Sequence, residues 1–302
     1  MIKDNLKVGN IDMKLIEQKT ELWKQGESIE DMWNHIAKCT RVCYQSIPKN
    51  EDGKNFCERT ILVNKHYGML EHGTVYLIVP SLAPRAKEIK SRYDENPYSR
   101  TFTFETLSGK PSAYYITTNY RVILENNWEK DLDYWSTETE YHHKRITISL
   151  ITSIGIAREL CRHRHFSFAQ ESTRYVNYGR NEHMEFIIPS SINLNKGIYY
   201  FDGQGNICGD GYIEEYKSGT IETTFLGFLD EVQDTYNGLL EKGLKPQEAR
   251  EVLPLCLKTQ LIMTGFEDDW NEFLMKRYYE FTGKVHPDMK VLAEKIFDVI
   301  RQ

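Results

Sequence analysis

At 302 residues the chain can bury a sizeable core, and 40% hydrophobic with 27% charged residues are ordinary globular values that argue against the disordered and fibrous classes. The formal charge of −6 argues against a general nucleic-acid binder, because such proteins carry a basic excess against phosphates; any anion site must therefore be local. The six cysteines are scattered without a CxxC pair and read as reduced thiols. No run of roughly eighteen apolar residues appears, and Met1–Asn5 lacks the apolar core of a signal peptide. The expectation is a cytoplasmic protein with neither membrane nor nucleic acid as partner.

In chain order, Met32, Ile36 and Cys39 recur at helical spacing and predict a short helix over Glu30 to Thr40, entering Arg41-Val42-Cys43-Tyr44. A second element follows Phe56. Gly73 to Val79 is rich in β-branched and aromatic residues and stops at Pro80, as a strand would. From about Ser81 to Tyr141 the chain is polar and aromatic, punctuated by Pro84, Pro97, Gly109 and Pro111, with a candidate strand at Tyr114 to Thr118; this stretch reads as an insertion. Leu150, Ile154, Ala157 and Cys161 predict an amphipathic helix, on whose apolar side Cys161 packs. Phe186-Ile187-Ile188 predicts a strand before Pro189, and Phe225, Leu229, Val232, Tyr236 and Leu240 a long helix ending near Gly243. Trp270, Phe273 and Leu274, then Met289, Leu292, Ile296 and Ile300, place two closing helices, the last with Pro287 in its first turn. Helices with scattered strands make the class α+β.

The informative segment runs from Arg162 to Tyr175, with three arginines and two histidines in fourteen residues of an acidic protein. Arginine offers a planar fork of donors to phosphate, and Ser172 and Thr173 add hydroxyl and backbone donors beside Arg174. A charge run is ordinarily a solvated face. This one directly follows an apolar helix, includes Gln170 and Glu171, and is flanked by aromatic residues, all of which favour a site. No cysteine sits in a convincing nucleophile motif.

Arg162-His163-Arg164, then seven residues, Ser172 and Arg174, resembles the hallmark of the flavin-dependent thymidylate synthases. The resemblance extends upstream to His66-Tyr67-Gly68-Met69-Leu70-Glu71-His72, and downstream to Ala249-Arg250-Glu251-Val252-Leu253-Pro254, Trp270 to Arg277 and His286-Pro287. Four ordered blocks cover about half the chain; residues 81–141 have no counterpart in the pattern. The resemblance implies one domain over 1–302 with helices packed on a mostly antiparallel sheet. It implies reductive methylation of dUMP to dTMP, with FAD as cofactor and NADPH and 5,10-methylenetetrahydrofolate as co-substrates, in a homotetramer with shared active sites. FAD binding falls on His66, Glu71, Arg162, His163, Arg164, Gln170 and His286. Binding of dUMP falls on Glu159, Arg162, Gln170, Glu171, Ser172, Thr173, Arg174, Arg250 and Arg277, with Arg277 against the uracil as the catalytic group and His72 structural.

The chain departs from the family where Phe266 and Asp268 follow Thr264-Gly265 in place of the usual Asn and Arg, at Glu272, and at Glu159, which stands for a Gln. Two rival readings use the same residues. A nucleotide- or RNA-binding module would stack bases on Phe168, Tyr175 and Tyr178, against the acidic balance. A metal hydrolase would use His142, His143, His163 and His165, without the HExxH spacing that would support it.

Overall fold

Local chemistry starts and stops the elements. The Ser28 hydroxyl accepts from the Asp31 amide at 3.0 Å while Asp31 accepts from the Ser28 amide at 3.0 Å, a reciprocal cap that opens the first helix where the apolar period begins. The Thr220 hydroxyl caps the long helix by accepting from the Thr223 amide at 3.4 Å, and Pro287 occupies the first turn of the last one. The computed structural model describes residues 12–47, 51–213, 216 and 218–301. The Met1–Asn5 stretch read for a signal peptide lies outside them.

The strands and helices are β1 (Met13–Ile16), β2 (Lys19–Trp23), α1 (Ile29–Val42), α2 (Gly53–Cys57), β3 (Thr74–Pro80), α3 (Ala86–Asp94), β4 (Arg100–Glu105), β5 (Pro111–Asn119), α4 (Tyr120–Glu125) and β6 (Trp135–Ser136). They continue with β7 (Arg145–Ser153), α5 (Ile154–Leu160), β8 (Ser167–Gln170), β9 (Met184–Ile187), β10 (Gly197–Phe201), β11 (Ile207–Cys208), α6 (Ile221–Glu241), α7 (Pro246–Ala249), β12 (Lys258–Phe266), α8 (Glu267–Arg277) and α9 (Pro287–Ile300). Among the described residues they form three four-stranded sheets, ordered β11-β10-β1-β9, β2-β7-β12-β8 and β4-β5-β3-β6. Every pairing is antiparallel except β1 with β9, so the molecule is α+β as expected. The third sheet is built largely from residues 81–141: β5 and β6 flank β3, and β4 pairs with β5.

The middle sheet positions the site. β7 and β12 pair along their length, from Lys258 opposite Ser153 to Phe266 opposite Arg145. β8 pairs with the other side of β12, Thr264 opposite Ser167 and Leu261 opposite Gln170. β7 and β8 therefore run in the same direction, with α5 returning the chain between them. The helix predicted through Leu150 to Cys161 is thus half strand. Ser153 caps α5, its hydroxyl accepting from the Ile156 amide at 3.2 Å, and Leu150 lies in β7. Cys161, expected to pack, is exposed just after α5 ends.

Candidate active site

A strand advances about 3.3 Å per residue, so Ser167 and Gln170 stand about 10 Å apart and β8 separates the charged segment into two groups. At the Ser167 end, Phe166 is buried with its ring edge-on to Trp270 at 4.6 Å, and His163 is edge-on to Phe273 at 5.1 Å. Gly265 makes room for this: a Cβ there would meet Phe166 Cδ1 at 2.6 Å. The aromatic bed holds His163 against the end of α8, where Arg277 Nε donates to His163 Nε2 at 3.1 Å. Burial first, and then the Arg277 charge, push the His163 imidazole down to about 4. It is therefore neutral at pH 7, with Nε2 free to accept and the proton on Nδ1. Arg162 and Arg164 are exposed beside it and form no ion pair among the described residues.

At the Gln170 end, Glu171 is buried. Its Oε2 accepts from Lys258 Nζ at 3.1 Å and from the Gln260 amide at 3.2 Å. Lys258 also faces Glu185 at 3.6 Å, and Glu185 faces Lys14 at 3.3 Å, so the carboxylate ends a row of alternating charges. The Ser172 amide donates to the Cys43 carbonyl at 3.1 Å, the Arg174 amide to Ser172 Oγ at 3.3 Å, and Arg250 Nη1 to Thr173 Oγ1 at 3.4 Å. Tyr44 and Tyr175 pack at 5.2 Å beside the exposed Arg174, and Gln170 Nε2 donates to Thr259 Oγ1 at 3.3 Å. Glu171 to Arg174 and Arg250, distant in sequence, are thus brought together.

Other expected residues sit apart. Glu159 is half-buried on α5, and His66 is exposed ahead of the turn Tyr67–His72. Glu71 accepts from Arg121 at 2.6 Å, so its carboxylate is already engaged. His286 caps α9, its Nδ1 accepting from the Asp288 amide at 3.2 Å. Phe266 is buried at the start of α8 with the Arg100 guanidinium 4.7 Å from its ring centre; Asp268 lies in the first turn, where a carboxylate suits the helix dipole, and Glu272 pairs with Lys276. Among the described residues no three His, Cys, Asp or Glu side chains are grouped to hold a metal ion. Sequence reasoning missed Lys258, although a lysine opening an otherwise apolar stretch was the available signal.

Neutral His163 with a tethered guanidinium can hold a polar heterocycle, while Ser172, Thr173, Arg174 and Arg250 offer hydroxyls and two guanidinium groups to a phosphate. Residues 126–302 match a family described as thymidylate synthase complementing protein. A protein of Paramecium bursaria Chlorella virus 1 described as a probable flavin-dependent thymidylate synthase is 28% identical over 152 residues, covering 50% of this chain and 65% of its own length. A flavin-dependent thymidylate synthase of Corynebacterium efficiens is 32% identical over 145 residues, 46% of this chain and 51% of its own. The chain thus spans about half to two thirds of these relatives. A UMP/dUMP methylase from Streptomyces cacaoi, solved with 5-Br dUMP, aligns over 95% of this chain and 92% of its own at 16% identity, with a TM-score of 0.44.

Proposed function

Because this chain belongs to the thymidylate synthase complementing protein family, we propose that it is a flavin-dependent thymidylate synthase, converting dUMP to dTMP with 5,10-methylenetetrahydrofolate as carbon donor and NADPH as reductant through FAD. One observation carries the reading: Arg162, Arg164, Arg174 and Arg277 form no ion pair with a carboxylate among the described residues, in a protein of net charge −6. Four such guanidinium groups on two adjoining segments and the end of α8 are equipment for anionic ligands.

In this reading Ser172, Thr173, Arg174 and Arg250 hold the dUMP phosphate, with Gln170, Glu171 and Glu159 around the sugar and base. Glu171, anchored by Lys258, fixes the start of that loop. Arg277, steered by its bond to His163, presents its remaining N–H groups to the uracil, where a guanidinium stabilises negative charge developing on N3 and O4. Arg162 and Arg164, exposed and unpaired, suit the flavin's pyrophosphate, with His163, His66, Gln170 and His286 as further contacts; Glu71 is already held by Arg121. When bound and reduced by NADPH, the flavin would supply the hydride that completes the methyl group. The same reading takes a homotetramer with shared sites, and it is supported by Arg277 and Arg174 lying near opposite ends of β8, which would let the uracil and phosphate contacts come from different subunits.

The test is dTMP formation from dUMP and methylenetetrahydrofolate with NADPH and FAD. Product is expected only when the folate is present. Absence of dTMP under anaerobic conditions with photoreduced flavin, while dUMP still binds, overturns the proposal.

A further inference from the structure

A cavity of about 470 Å³ opens between β2 and β7 of the middle sheet, strand β3 and the end of α9, and its lining includes none of the residues assigned above to dUMP or FAD. Its volume is that of a small-molecule site. Three of its walls are aromatic: Trp23, Tyr76 and Trp135. Trp135 comes from the 81–141 stretch and is fixed by its indole N–H, which donates to the Glu27 carbonyl at 3.0 Å. Tyr76 donates its hydroxyl to Glu138 at 3.0 Å, which engages the acid nearest to that wall.

Arg145 lines the same cavity and forms no ion pair among the described residues; its guanidinium lies 5.6 Å from the Phe266 ring centre. Its Nη1 donates to Thr74 Oγ1 at 3.3 Å and its Nη2 to the Glu71 carbonyl at 3.0 Å, but its Nε is buried with no hydrogen-bond partner. No carboxylate among the described residues lies within ion-pair distance of it, since the Glu71 side chain is turned to Arg121. Burial, the largest cause, pushes the guanidinium down to about 10, while the charges of Glu71 and Asp269 oppose the shift without forming an ion pair. Lys24 and Lys144, both exposed, join Arg145 in the lining against the carboxylates of Glu27 and Glu138, which leaves the cavity a small positive excess. Each Nη nitrogen keeps a second N–H beyond these bonds, and Arg145 is half-buried at the cavity wall, so the guanidinium can offer donors to an acceptor there.

We infer that this cavity is a second ligand site, one that takes a planar aromatic anion with its ring against Trp23, Tyr76 and Trp135 and its carboxylate or phosphate at Arg145. Such a ligand bridges the middle sheet and the 81–141 stretch, and so gives that stretch a role in binding separate from the reaction.

The test is calorimetric titration of the full chain with 2-naphthoate and with 1-naphthyl phosphate, which distinguish a carboxylate from a phosphate, and with neutral 2-naphthol. At least one anion is expected to bind saturably with a stoichiometry of one per chain, about tenfold or more tighter than the naphthol, as loss of a charge-assisted bond predicts. Trp135→Ala is expected to weaken it about tenfold, with dUMP binding unchanged. Arg145→Gln should abolish the preference for the anions over naphthol. If that variant fails to fold by near-ultraviolet circular dichroism, Trp135→Ala and the naphthol comparison decide. Absence of saturable binding by either anion up to about 1 mM, equal affinity for naphthol, unaltered binding to Trp135→Ala, or competition with dUMP would each overturn the inference. None of these readouts requires the synthase reaction, so the result stands apart from the function proposed above.

Discussion

Arg277 and His163 show how much one hydrogen bond can specify. The imidazole is neutral because burial and the neighbouring guanidinium disfavour its proton, and it accepts from Arg277 Nε without cancelling the positive charge on that side chain. A carboxylate in that place would have tethered the arginine equally well, but would have cancelled the charge it presents. Arg277→Lys keeps the charge and loses the planar fork; with reduced flavin supplied, it should lower the single-turnover rate of dTMP formation by about two to three powers of ten while FAD stays bound. A wild-type rate would show that another group activates the uracil. The phosphate end is tested separately. Arg174→Ala and Arg250→Ala should each weaken dUMP by roughly 1.5–3 kcal/mol and deoxyuridine much less, and equal losses for the two ligands in a titration would remove these arginines from the phosphate.

Gly265 links an element to the site. It lies on β12 directly under Phe166, and the nearest atoms to an added Cβ are ring carbons at 2.6 and 2.7 Å, so Gly265→Ala must displace Phe166 from Trp270 and tilt the turn that carries His163. Overpacking of this kind costs about 1–3 kcal/mol. Turnover should fall while dUMP affinity changes little, because Arg174 and Arg250 adjoin the far end of β8; urea midpoints and dUMP titrations read the two effects, and unaltered turnover in a variant of lowered stability would contradict the coupling. The helices α1, α6 and α9 were legible in the sequence because each has one apolar stripe and a clear cap. β7 and β12 were not, since both are buried along nearly their whole length, leaving no alternation to read. At the junction of β7 with α5, apolar residues happened to fall at helical intervals, and only the Ser153 cap marks the boundary. The motif residues were found by pattern. Their division between the two ends of β8 could not be, because it depends on how far a four-residue strand carries the chain.

Across the whole molecule, a buried polar chain joins the elements that meet behind the site. His35 of α1 contacts Thr147 of β7 at 3.3 Å, Thr147 contacts Thr264 of β12 at 2.8 Å, and Thr264 contacts His72 Nδ1 at 2.8 Å, tying the first helix, the middle sheet and the turn after His66 together. Burial pushes His35 down to about 4, helped by Lys38 and Arg145, and pushes His72 down to about 3, helped by His35 and Arg145. The unfolded chain protonates both histidines near pH 6.5, whereas the folded chain keeps them neutral to a much lower pH. The unfolded state therefore binds more protons in that interval. Stability is fully present above about pH 6.5 and is lost as pH falls from there toward 4, with a limiting slope of about 1.4 kcal/mol per pH unit for each histidine. His163 and His142, both lowered chiefly by burial, act in the same direction. The carboxylates Asp31, Glu88 and Asp202, lowered in the folded chain, add to the loss only at the acid end of this window, whereas Asp230 and Asp269, raised chiefly by burial, oppose it there. Urea unfolding midpoints measured between pH 7.5 and 4.5 should decline with this slope, and His72→Asn, which can still bond Thr264, should decline less steeply whatever its stability at pH 7.5. If the variant and the wild type lose stability in parallel over that range, His72 is not held neutral in the folded protein and the acid sensitivity must arise elsewhere.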